Sequence, residues 1–510
     1  MRLRLVLSAL CVALIFSLVQ AQATDGFPYK VEIVDKVLAV TREKEGKQGL
    51  YVTVKFKILR TADNKPALDI GNSEIRVKEE GKPVADLTIL QPQSRDLTAM
   101  LAMDISGSMR DHGKMDQARK AANTFLDRLD AKADCGVILF NHEMIDPIIP
   151  PLRDAKGDQA AHRGAIRKLL KEQYDKPRGG TAYLDAAYHA IERLKGARGR
   201  RGVVLMTDGV DLNSTHTLEE VIDLAQANEV PVYTIGVGEP GKNEPVTTVM
   251  VLDRSGSMRQ PADDHDKIPK IKALHEAAGR FVDIMRPSAR TTLIAFSDLV
   301  DKPDPFSNDK SALKEKINKL KPRGETALFD AIFQALQTLE AERAHGKRAV
   351  VVLTDGEDNL SGHRVEEVIA KAQSMATPLH LLGLGRSDEL DEKVMKQMAE
   401  QTGGTYHHAA NRQKLYETFE DLSIQLHDDG IDETSLRHLA DETGGRYIPA
   451  HDVSQLELGF VSLAEELQET YTVTFLSRRS SHDGTARDIE IGLWHGDVPL
   501  STAANTAYNV

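Results

Sequence analysis

The sequence predicts an α/β protein whose central unit is built twice and framed at both ends by β-strands. Three observations carry this. Two apolar runs, LTAMLAMDISGSM (97–109) and VTTVMVLDRSGSM (246–258), break abruptly into Asp-x-Ser-x-Ser. Uninterrupted apolar runs of this kind read as strands buried on both faces, as in a parallel sheet. After each, strands alternate with amphipathic helices. Landmarks then recur at matching distances: 77 residues from Asp104 to Thr181 and 73 from Asp253 to Thr326, then 27 from Thr181 to Asp208 and 29 from Thr326 to Asp355. The chain therefore contains an internal duplication.

At 510 residues there is length for roughly three domains. Residues 1–23 stand apart, with a basic MRLR, the apolar LVLSALCVALIFSLV and a small-x-small Ala21-Gln22-Ala23. This is the pattern of a secretory signal peptide cut after Ala23, so the chain is expected outside the cytoplasm: periplasmic, at the cell surface or secreted. Leu10 stands before Cys11 where a lipid-anchoring signal needs a small residue. No later segment is apolar for long enough to span a bilayer, so no transmembrane segment is expected in the mature chain. Cys11 leaves with the leader, and Cys135, in DCGVILF, reads as a small core residue of a strand. The formal charge of −12 becomes −14 without Arg2 and Arg4. Such an acidic surface argues against a nucleic-acid partner and permits cation binding.

Residues 24–93 read as antiparallel β-structure. LYVTVKFKIL (50–59) alternates, with Leu50, Val52, Val54, Phe56 and Ile58 on one face and Lys55 and Lys57 on the other. SEIRVKEEGKPVADLTIL (73–90) reads as two strands joined at Gly-Lys-Pro. In the first α/β copy a helix is expected near 114–129, then the strand CGVILF, a loop, a helix near 158–171, a helix starting at Thr181, and strands ending at Asp208 and near 238. The second copy repeats this order: a helix near 267–285, strand 290–297, a helix near 310–320, a helix within 323–336, strand 347–356, a helix near 364–375 and strand 378–385.

The copies end differently. After HLLGLG the second runs into LDEKVMKQMAEQTGGTYHHA and a helix near 412–426; after YTIGVG the first meets the joint EPGKNEP (239–245). A matching ending, IDETSLRHLADETGGRYIPA (431–450), comes later and is followed by a helix near 453–469. The economical reading is nesting: a first domain of 94–245 plus 428–470, with a second domain, 246–427, inserted. The competing reading, tandem domains with a truncated first copy, would leave a sheet without its last strand and helix. The tail, 471–510, returns to alternating strands that complete a β-sandwich with 24–93. Trp494 reads as a sandwich core or edge residue.

Each copy brings oxygen ligands from three separate loops: Asp104, Ser106, Ser108, Thr181 and Asp208 in the first, and Asp253, Ser255, Ser257, Thr326 and Asp355 in the second. Hydroxyls and carboxylates at the carboxyl ends of strands suit a hard cation rather than a soft transition metal. DISGS…RGGT…MTDG and DRSGS…RGET…LTDG resemble the metal ion-dependent adhesion site of von Willebrand factor A domains, as found in integrin inserted domains. The likeness covers roughly 97–470; the flanking strands resemble, more loosely, those of bacterial secreted proteins of this group. The resemblance implies two doubly wound, Rossmann-like domains, each with one Mg²⁺ or Mn²⁺. Ser106, Ser108, Thr181, Ser255, Ser257 and Thr326 would offer hydroxyls, and the four Asp would hold the ions directly or through water.

A cation held by two carboxylates and weakly donating hydroxyls stays electrophilic at its open position, where an Asp or Glu carboxylate of a protein partner can bind. The expected function is therefore non-enzymatic, metal-dependent protein binding or adhesion. Alternatives are a structural or assembly role in an envelope or surface complex and a metal-dependent hydrolase, for which no general base is nominated. HEAAG (275–279) lacks the second His of a zinc-protease helix, His407-His408 reads as a solvated pair, and there is no G-x-S-x-G elbow or P-loop. Nesting further predicts that the inserted domain is rooted beside the first site, where Glu239, Glu244, Asp428 or Asp429 would be placed to occupy or gate it.

Overall fold

Two parallel-stranded α/β units and a β-sandwich make up the computed structural model, which describes residues 26–509 apart from 35, 45–46, 93–96, 154–156, 174–177, 198, 243, 263–266 and 480–483. The leader 1–23 lies outside the described residues.

Strand Leu97–Asp104 is buried along all eight residues because it sits mid-sheet, in parallel register with Asp134–Phe140 on one side and Arg200–Thr207 on the other. Val232–Val237 pairs with Arg200–Thr207 (Val203 opposite Val232), and Tyr447–Ala450 extends the sheet in parallel beyond it (Thr234 opposite Tyr447). The last strand of this sheet thus comes from a segment more than 200 residues later in the chain. The segment fills both faces: Phe460 and Leu463, on helix Val453–Glu469, pack with Phe125, and Ile431, Leu436 and Leu439 pack with Val203 and Val232. The opposite edge is Met144–Ile149, antiparallel to Asp134–Phe140, where a loop was expected. Pro147 has no N–H to donate, which confines such a strand to an edge and weakens its signal in the sequence.

In the second unit Val246–Asp253 is likewise wholly buried, between Arg290–Phe296 and Lys347–Thr354; Leu379–Leu384 and Tyr406–Ala409 follow, all parallel. Helices cover both faces of each sheet, so both units are doubly wound and Rossmann-like. The two chain crossings between the units run side by side. Gly241 N–H donates to Ile431 O (2.8 Å) and Ile431 N–H to Glu239 O (3.1 Å).

The sandwich is shared between the chain ends. Lys47–Arg60 pairs antiparallel with Tyr471–Leu476, and Ile75–Glu79 with Ala486–His495. Phe56 stacks on Tyr471 at 5.6 Å in its core. The lysine face of Lys47–Arg60 meets the first α/β unit: Lys55 Nζ donates to Tyr233 Oη (2.7 Å) and Lys57 Nζ to Glu469 (2.9 Å). Within 73–90 the second strand is only Lys82–Pro83, after which Thr88–Leu90 crosses to pair with Tyr471–Leu476 in the other sheet. The hairpin's hydrogen bonding continues one residue past Pro83, where Val84 N–H donates to Val77 O (2.9 Å). Ala504–Asn509, not anticipated because Tyr508 is its one large apolar residue, pairs with Ala486–His495. Trp494 is a half-buried edge residue with the Arg76 guanidinium 5.0 Å from its ring.

Candidate metal centres

Each Asp-x-Ser-x-Ser begins where its central strand ends, so the strand's pairing on both sides fixes the first carboxylate. In the first copy Asp104 Oδ1 accepts from Ser106 N–H (2.7 Å), and its Oδ2 accepts from the Thr207 hydroxyl (2.6 Å) on the neighbouring strand. The two serine hydroxyls lie 3.0 Å apart, and Ser108 donates to Asp208 Oδ1 (2.7 Å). The loop carrying Thr181 is tied to both others. Gly107 N–H donates to Gly179 O (2.9 Å), while Leu212 and Asn213 N–H donate to Thr181 O (2.8 and 3.0 Å). Helix Tyr183–Leu194 starts two residues after Thr181, not at it.

The second copy repeats this geometry. Asp253 accepts from Ser255 N–H (2.7 Å) and the Thr354 hydroxyl (2.6 Å). Ser255 and Ser257 hydroxyls are 2.9 Å apart, and Ser257 donates to Asp355 (2.8 Å). Thr326 O accepts from Asn359 N–H (3.0 Å), joining the threonine loop to the loop after Asp355.

Burial, followed by the neighbouring Asp208 charge, raises Asp104 to about 8; burial and Asp355 raise Asp253 to about 6. Asp208 is also raised by burial, although the Lys114 ammonium opposes this. Each pair of buried carboxylates faces a single lysine ammonium, Lys114 or Lys270, so its formal negative charge is only partly balanced. Thr181 Oγ1 is buried with no hydrogen-bond partner, which fits a hydroxyl reserved as a ligand. The donors are all oxygens, as Mg²⁺ or Mn²⁺ prefers. Among the described residues no three His, Cys, Asp or Glu side chains gather as a metal site, so a cation held here would need the hydroxyls as well.

Lys114 and Lys270 were not foreseen. Each opens the helix after its Asp-x-Ser-x-Ser. Lys114 Nζ lies 2.6 Å from Asp208 Oδ2; Lys270 Nζ lies 3.1 Å from Asp355 Oδ2 and 2.9 Å from Glu389. The one available signal was a lysine at the first helical position in both copies. Thr207 and Thr354 were visible in MTDG and LTDG but read only as strand ends.

Elsewhere, Cys135 is buried and its thiol is pushed up to about 12 by desolvation, as befits a core residue. HEAAG lies within helix Lys270–Ile284. His407 and His408 sit on the edge strand Tyr406–Ala409, with His408 bonded to Gly385 O (2.7 Å). No helix among the described residues is long and apolar enough to cross a membrane.

A model of the von Willebrand factor type A domain family matches residues 100–250, and a second model of the same description matches 248–357. A UPF0353 protein of Mycolicibacterium paratuberculosis is 26% identical over 225 residues, 38% of this chain and 66% of its own. YwmD of Bacillus subtilis is 23% identical over 216 residues, 39% of this chain and 95% of its own. The chain thus spans less than two thirds of the length of the mycobacterial relatives, 59% for one from Mycobacterium tuberculosis. Among solved structures, the vWF domain of the type V pili tip protein Mfa5 from Porphyromonas gingivalis aligns at 15% identity and a TM-score of 0.30, over 36% of this chain and 95% of its own. A von Willebrand factor type A from Catenulispora acidiphila aligns at 14% identity and 0.31, over 52% and 66%. Scores this low carry no argument beyond the sheets and helices described above. By its two matched regions, its repeated doubly wound units and their twin loop constellations, this chain is a von Willebrand factor A domain protein with two such domains.

Proposed function

We propose that the protein is an exported, metal-dependent binding or adhesion protein that engages an acidic side chain of a protein partner. The observation that carries this reading is the duplicated set of buried carboxylates and hydroxyls at the carboxyl ends of two parallel sheets. In this reading Asp104, Ser106, Ser108, Thr181 and Asp208 hold one Mg²⁺ or Mn²⁺, and Asp253, Ser255, Ser257, Thr326 and Asp355 hold the other. The bound cation supplies an electrophilic position for a carboxylate oxygen. The chain's own part is to fix the donors: Thr207 and Thr354 orient Asp104 and Asp253, and the serine hydroxyls align Asp208 and Asp355. Lys114 and Lys270 set an ammonium beside those last carboxylates. Export rests on residues 1–23. The division into 94–245 plus 428–470, an inserted 246–427, and a sandwich of 24–93 with 471–510 is supported by the strand pairings.

Titration calorimetry with Mg²⁺ on the intact protein and on Asp104→Ala and Asp253→Ala tests the sites; each variant should lose one equivalent, and unchanged stoichiometry in both refutes them. Capture of protein partners from an extracytoplasmic fraction in Mg²⁺ against chelator tests the binding role.

A further inference from the structure

The two sites have nearly the same inner geometry but different surroundings. The first opens into a cleft lined by Ser108, Arg110, Lys114, Asp208, Ile424 and Asp428, of which the last two lie on or beside the final helix of the second unit, Arg412–His427. A Cβ on Gly107, inside the first Asp-x-Ser-x-Ser, would stand 2.5 Å from Ile424 Cδ1. The corresponding Gly256 of the second site would meet nothing closer than Gly324 O at 3.2 Å. The contrast continues at the glycine after the last aspartate. A Cβ on Gly209 would fall 2.6 Å from Asp428 Oδ2, whereas one on Gly356 meets only Thr326 Oγ1 at 3.9 Å. Among the described residues, the mouth of the first site is thus bordered by a segment of the second unit, and the second site shows no such neighbour.

Of the four joint acids, Asp428 alone is so placed. Arg286 holds Asp429 and also donates to His427 O (2.7 Å), so Asp429 is committed to a buried ion pair. Glu239 is exposed over 83% of its side chain, and Glu244 is engaged through its backbone carbonyl by Arg286. Asp428 Oδ1 accepts from Gly430 N–H (3.2 Å), while its Oδ2 is buried without a hydrogen-bond partner. Ser108 and Asp208, both members of the first constellation, line the same cleft as this carboxylate. In the second site the extra acid, Glu389, is turned to Lys270 (2.9 Å).

Resting on the metal-binding reading above, we propose that Asp428 is an intramolecular ligand that fills the open position of the first site. The first site then works as a clasp fastening the inserted domain, and the second is the one that faces a partner's carboxylate. The chemistry is the one expected of an external ligand: a carboxylate oxygen replaces a water on the cation, and no covalent bond changes.

Mn²⁺ is the probe, in the full chain with the second site silenced by Asp253→Asn, read by affinity and by the water-proton relaxation that counts exchanging waters on the ion. Asp428→Ala should weaken Mn²⁺ about tenfold and add about one exchanging water. Gly209→Ala, which displaces Asp428 without removing it, should change both readings in the same direction. Glu239→Gln should change neither, nor should Gly356→Ala at the second site, with the first silenced by Asp104→Asn. Unchanged affinity and relaxation in both Asp428→Ala and Gly209→Ala overturn the clasp and leave the metal sites standing. Failure of the unmutated chain to bind Mn²⁺ overturns the metal reading itself.

Discussion

Glu420 offers a sharp test of how the two units are joined. It is 7% exposed and reaches across from the second unit, accepting from Gly179 N–H (2.6 Å) in the threonine loop of the first site and from Arg280 Nε (2.9 Å). Arg280 is itself buried, and its other face meets His142 (2.8 Å), which burial and the adjacent guanidinium depress to about 3. His142 is therefore neutral and gives Arg280 no counter-charge. Glu420→Ala would leave one buried cation unpaired, a change that costs about 3–5 kcal/mol. The orphaned Gly179 N–H adds about 1–3 kcal/mol, partly overlapping the first term. The expected loss is about 4 kcal/mol, read as a fall in urea midpoint by circular dichroism in chelator, so that metal occupancy does not enter. Arg280→Met should be milder, and the double variant should recover about 2 kcal/mol in a double-mutant cycle. A loss below about 1 kcal/mol in Glu420→Ala would show that the contact contributes nothing to joining the units.

Three other outcomes are expected. Because Asp104 and Asp253 have folded values raised above the ordinary carboxylate, their contribution to metal-free stability is present near pH 4 and is lost as pH rises toward about 6 at the second site and about 8 at the first. His142 and His427, depressed by burial, contribute the opposite slope below about 6.5, so the carboxylate term is read as the difference between the intact protein and Asp104→Asn. An intact-minus-variant stability that stays level or rises between pH 4 and about 8 would refute it. Lys270→Met, which removes a side chain only 2% exposed from between Asp355 and Glu389, should cost about 3 kcal/mol in chelator and increase the thermal stabilisation given by Mg²⁺. Tyr471→Phe leaves Ile70 N–H and Ala67 O without their partner in the sandwich core, costing about 1–3 kcal/mol, and Trp494 fluorescence should report this transition.

The α/β units were legible because their central strands are wholly apolar and end in short polar motifs that occur twice. The final helix of each unit was legible from the paired TGG segments. Met144–Ile149 and Ala504–Asn509 were not, because edge strands need few apolar residues and the first contains Pro147. The ten loop residues proposed as donors could be located from Asp-x-Ser-x-Ser, Arg-Gly-x-Thr and Thr-Asp-Gly. Lys114, Lys270, Thr207 and Thr354 could not be assigned roles, since a lysine opening a helix or a threonine ending a strand looks ordinary until its partner is located. Which of the four joint acids lies at the first site was equally hidden. It depends on Arg286 capturing Asp429, a contact 143 residues apart.

The adjoining crossings at Gly241 and Ile431 also set how tension would travel through the molecule. A pull on the chain ends loads the sandwich first, where Lys47–Arg60 and Tyr471–Leu476 lie antiparallel with Leu476 opposite Tyr51. It then reaches the first unit's sheet. The second unit hangs from two strands of chain already fastened to one another, so it lies outside the load path until that fastening parts. A molecule arranged in this way keeps its second site undistorted under traction that would stretch a tandem pair of domains.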